Sequence, residues 1–94
     1  MKEIELFYLE RCPYCKKAMK AIEELTAEDP VYSEIGIKWI EESLEPELAA
    51  SRDYYNVPTI FHEGKKLYEA KPFHSYDTIK ESIRKAFDSV LSKA

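Results

Sequence analysis

Apolar side chains follow two different spacings along the chain, and the spacing changes from segment to segment. Residues 3–9 are rich in aromatic and branched side chains and become continuously apolar toward their end, which predicts a strand covered on both faces. From Pro13 onward, apolar residues recur every three or four positions until Asp29 and Pro30 interrupt them. The first two elements are therefore predicted to be a central strand and an amphipathic helix.

The middle of the chain repeats this order with shorter elements. Ile35, Ile37 and Trp39 alternate with other residues and predict a second strand. A short second helix is predicted to begin near Pro46. Its apolar positions are Leu44, Leu48, Ala49 and Tyr55.

The last third of the chain predicts a hairpin and a long helix. Two strand-like segments, residues 57–62 and 66–70, flank residues 63–65, where Gly64 supplies the positive backbone angle of a tight turn. The last helix is predicted to begin after Ser75, whose hydroxyl suits a helix cap. Its apolar stripe consists of Tyr76, Ile79, Ile83, Ala86, Phe87 and Val90.

The order of these elements predicts an α/β fold with one mixed sheet. A right-handed crossover makes the first two strands parallel, and the hairpin adds two antiparallel strands on the other side of the first. The expected sheet has the order second, first, third, fourth strand, with helices on both faces. Because 94 residues are too few for two separate cores, we expect residues 1–94 to form one domain.

Composition and charge exclude several classes of function. Hydrophobic residues make up 45% of the chain, but no apolar run approaches the ~20 residues that a membrane span requires. The charges are interspersed and sum to −4, so the sequence lacks the basic stripe that binds nucleic acid. With no export signal visible, we expect a cytoplasmic monomer that binds neither nucleic acid nor membranes.

The two cysteines, Cys12 and Cys15, lie between the first strand and the first helix. A bond between them would close a very short loop, which gives little stabilisation in the chain-entropy model. Ligands of open α/β sheets gather at the carboxyl ends of the strands, where this segment lies. The position of the pair therefore favours a chemical use of the sulfurs.

Cys12 is predicted to occupy the cap position of the first helix. Unpaired backbone N–H groups and the helix dipole favour an anion there, and a thiolate is such an anion. Arg11, Lys16 and Lys17 add positive charge nearby, while Glu10 opposes them. Surroundings of this kind bring cysteine pKa values from about 8.5 to roughly 3.5–7.5. Cys12 is therefore the candidate nucleophile.

Cys15 follows one helical turn later, on the same face of the helix as Cys12. This spacing leads to a hypothesis in which Cys12 attacks a substrate disulfide and Cys15 resolves the mixed disulfide. Inert core cysteines are one alternative, and a metal or cluster site is another, although only His62 and His74 could complete it and we expect no metal. A redox sensor or adaptor that uses the same pair also stays open.

Two motifs give the chain a resemblance to a known family. Cys-Pro-Tyr-Cys at residues 12–15 follows an apolar strand, and Val57-Pro58-Thr59 precedes a hairpin. In these motifs and in element order, over nearly its whole length, the chain resembles the dithiol glutaredoxins of the thioredoxin superfamily. The resemblance implies a thioredoxin fold and thiol–disulfide oxidoreductase activity toward protein or small-molecule disulfides. It implies no tightly bound cofactor.

The resemblance also implies substrate-contacting residues. In the superfamily the proline that matches Pro58 is cis and faces the active cysteine, and the residue that matches Val57 pairs with an extended substrate through its backbone. The substrate-binding residues expected on this basis are Arg11, Pro13, Tyr14, Val57, Pro58 and Thr59.

Three positions depart from the glutaredoxin pattern. Residues 71–77 lack the Gly-Gly pair that helps many glutaredoxins hold glutathione, Leu9 stands where a lysine or arginine is common, and Asn56 replaces a threonine. Thioredoxin itself is a weaker match, because Leu6 occupies the position of its buried aspartate. Glutathione and a flavoprotein reductase therefore both stay open as the source of electrons.

The remaining aromatic, histidine and acidic residues are interpreted as structural. Trp39, Tyr54 and Tyr55 are expected in the core or at its rim. His62 and His74 are expected to have structural roles outside the site. A solvated loop and helix start account for the acidic residues Glu41, Glu42, Glu45 and Glu47.

Overall fold

The computed structural model describes residues 2–92, which form four strands and three α-helices in the predicted order. The elements are β1 Glu3–Tyr8, α1 Pro13–Glu28, β2 Gly36–Glu41, α2 Pro46–Ala50, β3 Thr59–His62, β4 Lys65–Glu69 and α3 Tyr76–Ser92. A 3₁₀ turn at Pro30–Glu34, which the pattern did not predict, links α1 to β2.

The four strands form one mixed sheet in the order β2-β1-β3-β4, which confirms the predicted topology. Leu6 of β1 lies opposite Trp39 of the parallel strand β2 and opposite Ile60 of the antiparallel strand β3. The strand directions bring four connecting segments to one end of the sheet, which we call the cysteine end. These segments are residues 9–12, 42–45, 51–58 and 70–75.

The sheet separates two apolar clusters. Leu6 faces the larger cluster, which α1 and α3 cover, whereas Phe7 packs with Ile40 and Phe61 on the side of α2. Because β1 is buried on both faces, its sequence becomes continuously apolar instead of alternating. Within residues 2–92, no helix is both long enough and apolar enough to cross a lipid bilayer.

Local sequence signals set the helix ends. Pro13 is the first residue of α1, and the helix stops before Asp29, whose carboxylate accepts the N–H of Val31 at 3.2 Å. At the start of α3, the hydroxyl of Ser75 accepts the N–H of Thr78 at 3.1 Å. The predicted cap at Ser75 and the predicted stop at residue 29 are confirmed.

The second helix is shorter than its pattern predicted. Since α2 ends at Ala50, Leu44 precedes the helix and Tyr55 follows it, and both side chains are exposed instead of buried. Tyr54 does reach the core, where its ring packs on Phe7 at 5.1 Å between centroids. The expectations for Leu44 and Tyr55 were wrong because a five-residue helix cannot present them on one face.

The hairpin also differs in detail from its prediction. The third strand begins at Thr59 instead of residue 57, since Pro58 offers no N–H to the ladder. Gly64 has the expected positive φ, 83°, and Glu63 also has a positive φ, 51°. Both turn residues therefore take the left-handed conformation that a two-residue hairpin turn uses.

Candidate active site

Cys12 is the N-cap residue of α1, as predicted. Its N–H donates to the carbonyl of Leu9 at 3.1 Å, and its carbonyl accepts the N–H of Lys16 at 3.1 Å, the first bond of the helix. The side chain is half-buried and makes no capping hydrogen bond of its own. The sulfur is therefore held at the positive end of the helix and is still reachable from solvent.

Cys15 lies in the first turn of α1 and is only 1% exposed. Its sulfur accepts the N–H of Leu9 at 3.4 Å. Burial, with a smaller effect from Cys12 and Glu42, raises the pKa of the Cys15 thiol to about 12 against the opposing effect of the Leu9 N–H. Cys15 is therefore a protonated thiol at neutral pH.

The segment before β3 faces the cysteine pair. The thiol of Cys12 donates to the carbonyl oxygen of Val57 at 3.8 Å, and Pro58 is buried directly after it. The peptide bond between Val57 and Pro58 is cis, as the resemblance implied. The structure thus places the carbonyl of Val57 next to the half-buried sulfur of Cys12.

Thr59 and Glu69 hold this segment in place. The hydroxyl of Thr59 donates to the carbonyl of Asn56. The carboxylate of Glu69 accepts the N–H groups of Tyr55 at 2.7 Å and Asn56 at 2.8 Å, and the ammonium of Lys66 at 2.7 Å. Although burial alone would raise the pKa of Glu69, these three donors outweigh it and lower that pKa. Glu69 is therefore an anion that fixes the path of the chain toward Val57.

Glu69 was not among the residues predicted for the site. The predicted hairpin could have indicated its role. In the observed register Glu69 lies opposite Thr59, next to the motif that precedes the hairpin. A carboxylate at that register position can reach the backbone N–H groups of the preceding loop.

A groove of about 490 Å³ opens beside Cys12. Its lining residues are Leu9, Glu10, Arg11, Cys12, Glu41 and Ser43. The hydroxyl and the N–H of Ser43 donate to the carboxylate of Glu41 and lower its pKa, and the N–H of Glu10 donates to it at 3.2 Å. The groove therefore carries two carboxylates against one guanidinium, and Glu41 is not merely a solvated loop residue.

Tyr14 occupies the opposite side of the cysteine pair. Its ring is half-buried against the core, its hydroxyl accepts the N–H of Phe73 at 2.8 Å, and the Lys17 ammonium lies 5.6 Å from the ring centroid. Pro13, next to it, is exposed at the start of α1. The side chain of Tyr14 thus links the cysteine segment to residues 71–75.

The predicted substrate-binding residues divide into two groups. Arg11, Pro13, Tyr14 and the backbone of Val57 reach the surface around Cys12. The two others, Pro58 and Thr59, are buried and support the loop from below. The substrate-contacting role stays a prediction for all six residues.

The two histidines lie outside this site. His62 is buried, and its Nδ1 atom lies 2.9 Å from the carbonyl oxygen of Glu3, while the ring of His74 stacks on Tyr68 with centroids 6.3 Å apart. These contacts agree with a structural interpretation, which stays a prediction for both residues. Among residues 2–92, no three His, Cys, Asp or Glu side chains are grouped as a metal site requires.

Residues 4–67 match the family model of the glutaredoxins. The chain belongs to the glutaredoxin family. The match confirms the resemblance that was based on the two motifs. The matched residues run from β1 to the middle of β4. No curated protein matches this glutaredoxin-family chain significantly.

Solved structures share the fold of this glutaredoxin-family chain at low sequence identity. Thioredoxin 1 from the thermophilic eubacterium Thermosipho africanus TCF52B is 19% identical, with a TM-score of 0.59 over 98% of this chain and 99% of that one. A mutant thioredoxin from Halobacterium salinarum NRC-1 is 21% identical, with a TM-score of 0.57 over 90% of this chain and 74% of that one. A structure described as a malarial protein is 18% identical, with a TM-score of 0.60 over 89% of this chain and 94% of that one. The predicted thioredoxin fold is confirmed, and family and fold together indicate thiol–disulfide redox chemistry.

Proposed function

We propose that this glutaredoxin-family chain is an oxidoreductase that reduces disulfides of proteins or small molecules with its own pair of thiols. The observation that carries the proposal is the contrast between the two sulfurs. Cys12 is reachable at a helix N-terminus, whereas Cys15 is 1% exposed in the first turn of the same helix. One thiol can therefore meet a substrate, and the other can meet only the first thiol.

In the first step the thiolate of Cys12 attacks one sulfur of a substrate disulfide. A bond forms between Cys12 and that sulfur, the substrate S–S bond breaks, and the second substrate sulfur leaves as a thiolate that takes a proton. The unpaired N–H groups at the start of α1 stabilise the attacking anion. The carbonyl of Val57 lies beside this sulfur and can accept a backbone N–H of the substrate.

In the second step Cys15 loses its proton and attacks the sulfur of Cys12. The mixed disulfide breaks, the substrate leaves as its second thiol, and the chain keeps a bond between Cys12 and Cys15. Once Cys12 is in the mixed disulfide it carries no charge and no S–H. The contribution of Cys12 to the raised pKa of Cys15 then disappears, although the larger effect of burial persists. The resolving thiol is thus easier to ionise at the step that needs it.

Two electrons must then return to the oxidised pair. Two molecules of glutathione, which leave as glutathione disulfide, or a flavoprotein reductase can supply them. We further propose that the chain works in the cytoplasm as a monomer without a tightly bound cofactor. Its partners are the disulfide substrate and the reductant.

A trapping experiment tests the roles of the two cysteines. Reduced Cys15→Ser protein, mixed with a disulfide substrate such as insulin, should accumulate an adduct through Cys12 that mass spectrometry locates. Cys12→Ser protein is the matched control and should form none. A Cys15→Ser protein that turns over at the wild-type rate without an adduct would show that the assignment is wrong.

A second experiment identifies the reductant. Reduction of bis(2-hydroxyethyl) disulfide is followed as NADPH oxidation, once with glutathione and glutathione reductase and once with a thioredoxin reductase. The coupled system that sustains turnover identifies the reductant class. Sustained reduction in neither system, together with no adduct in the trapping experiment, would overturn the proposed function.

A further inference from the structure

Large apolar side chains are exposed around the cysteine pair. Leu44 is 79% exposed, Tyr55 is 90% exposed and Phe73 is 95% exposed. They lie in three of the segments that form the cysteine end, after β2, before β3 and after β4. The other large exposed apolar residues of the described chain, Val31 and Trp39, are only 38% and 41% exposed and lie elsewhere. The exposed apolar surface is thus concentrated where the substrate must arrive.

The backbone conformation of Phe73 is unfavourable for the folded chain. Its φ is 69°, a left-handed conformation that a bulky side chain adopts only with strain. Burial does not compensate for this strain, because the ring is almost fully exposed. The packing of the folded chain therefore does not account for a phenylalanine at this position.

The side of the cysteine end formed by β2 and α2 is acidic. Residues 39–51 contain no lysine or arginine and four glutamates: Glu41, Glu42, Glu45 and Glu47. Neutral groups donate the hydrogen bonds that Glu41 and Glu42 accept, among them the hydroxyl of Tyr54 at 2.6 Å. Their charge therefore stays available to a partner.

Cations also lie in and beside the cysteine end. Arg11 is in the groove, Lys16 and Lys17 are exposed at the start of α1, and Lys71 follows β4. Arg52 follows α2, and its guanidinium is paired with Glu5 at 2.8 Å.

We propose that the cysteine end is a docking surface for a polypeptide whose disulfide is flanked by large apolar side chains and by lysine or arginine. The inference rests on the proposed function and names the substrate class of the same site. Leu44, Tyr55 and Phe73 contact the apolar side chains, and the acidic side receives the cation. Glutathione has a net negative charge and no large apolar side chain, so it is a weaker complement to this surface than such a polypeptide.

The substrate preference is measured with synthetic peptides. Three peptides carry one cysteine as a mixed disulfide with 2-mercaptoethanol, flanked by Phe and Lys, by Phe and Glu, or by Ala alone. We expect the reduced wild type to cleave the Phe-Lys peptide about 10-fold faster than the Ala peptide and several-fold faster than the Phe-Glu peptide at low salt. The Lys-over-Glu preference should shrink as salt is added.

Variants show whether the named residues carry this preference. Phe73→Ser and Tyr55→Ser should each lower kcat/KM for the Phe-Lys peptide by about 5- to 10-fold and leave bis(2-hydroxyethyl) disulfide unaffected. Val31→Ser, which removes an exposed apolar group at the opposite end, is the matched control and should change neither rate. Equal losses on both substrates would overturn the proposal, because Phe73 and Tyr55 would then act on the cysteines themselves.

Binding without chemistry separates this proposal from the proposed function. Cys12→Ser protein should bind the reduced Phe-Lys peptide, and adding Phe73→Ser should weaken that binding whether or not the wild type turns over any disulfide. Equal binding of all three peptides would overturn the docking surface even in an active enzyme. Sedimentation provides the last check: a wild-type dimer that Phe73→Ser dissociates would show that a second copy covers the surface, and would also overturn the proposal.

Discussion

The thiol of Cys12 and the carbonyl oxygen of Val57 lie 3.8 Å apart, although 45 residues separate them in the chain. The contact joins the start of α1 to the loop before β3. When Cys12 loses its proton it has no hydrogen to donate, and the carbonyl of Val57 becomes available for another donor. Ionisation of Cys12 and release of the backbone acceptor at Val57 are therefore one event.

Alkylation should distinguish the two cysteines. We expect iodoacetamide to modify Cys12 and to leave Cys15 unmodified at pH 8, because Cys15 is 1% exposed and its pKa is raised to about 12 by burial. Peptide mass spectrometry after a timed reaction measures the ratio. The same reaction in guanidinium chloride is the control and should label both thiols. Equal labelling in the folded protein would contradict the observed burial.

Glu69→Ala should weaken both stability and turnover. The variant leaves the N–H groups of Tyr55 and Asn56 without their charged acceptor, so we expect the free energy of unfolding to fall by about 1.5 kcal/mol. The freed loop should place Val57 less accurately, which lowers kcat/KM for a peptide substrate several-fold more than for bis(2-hydroxyethyl) disulfide.

The conservative variant Glu69→Gln is the control for that prediction. It keeps an oxygen acceptor for the loop but loses the ion pair with Lys66, so it should recover most of the turnover. Urea unfolding and steady-state kinetics measure the two effects. Equal turnover in Glu69→Ala and wild type would exclude a positioning role for Glu69.

Tyr14→Phe should loosen the segment that carries Phe73. The variant keeps the half-buried ring but removes the oxygen that accepts the N–H of Phe73 at 2.8 Å. We expect the unfolding free energy to fall by about 1 kcal/mol and the amide of Phe73 to exchange with solvent faster. Hydrogen exchange followed by NMR measures the amide, and amides in the middle of α3 serve as the internal control. An unchanged exchange rate at Phe73 would contradict the hydrogen bond.

Acid should destabilise the fold through carboxylates that accept hydrogen bonds. Donors lower the pKa of Glu24, Glu41 and Glu69 in the folded chain below the ordinary glutamate value of about 4.3. Protons therefore bind more readily to the unfolded chain. The stabilisation is complete above that value and is lost as the pH falls through the lower, folded-state values. Thermal unfolding followed by circular dichroism should give a Tm that falls between pH 5 and pH 3, and a Tm that rises over this range would contradict the prediction.

The sheet and the cysteine pair could be predicted because short-range patterns set them. The continuous apolar end of β1 follows from its central position, and Cys12 precedes a proline that begins a helix. The cis bond at Pro58 could be expected only through the family resemblance, since nothing in the local composition distinguishes it from an ordinary strand-start proline.

The surroundings of the cysteines could not be predicted in the same way. Leu44 and Tyr55 fitted a helical stripe, but α2 is only five residues long, and helix length depends on packing against the sheet. The left-handed conformation of Phe73 and the bonds of Glu69 depend on how distant loops meet. Neither feature produces a periodic pattern in the sequence.

The burial of Cys15 beneath Cys12 also bears on oxidative damage. A peroxide that reaches Cys12 converts its sulfur to a sulfenic acid, which would be oxidised irreversibly if it persisted. Because the thiol of Cys15 lies in the first turn of the helix that Cys12 caps, it can condense with the sulfenic acid, release water and form a disulfide. The chain is thereby left in a state that a thiol reductant can reverse. An inaccessible second sulfur thus protects the accessible one.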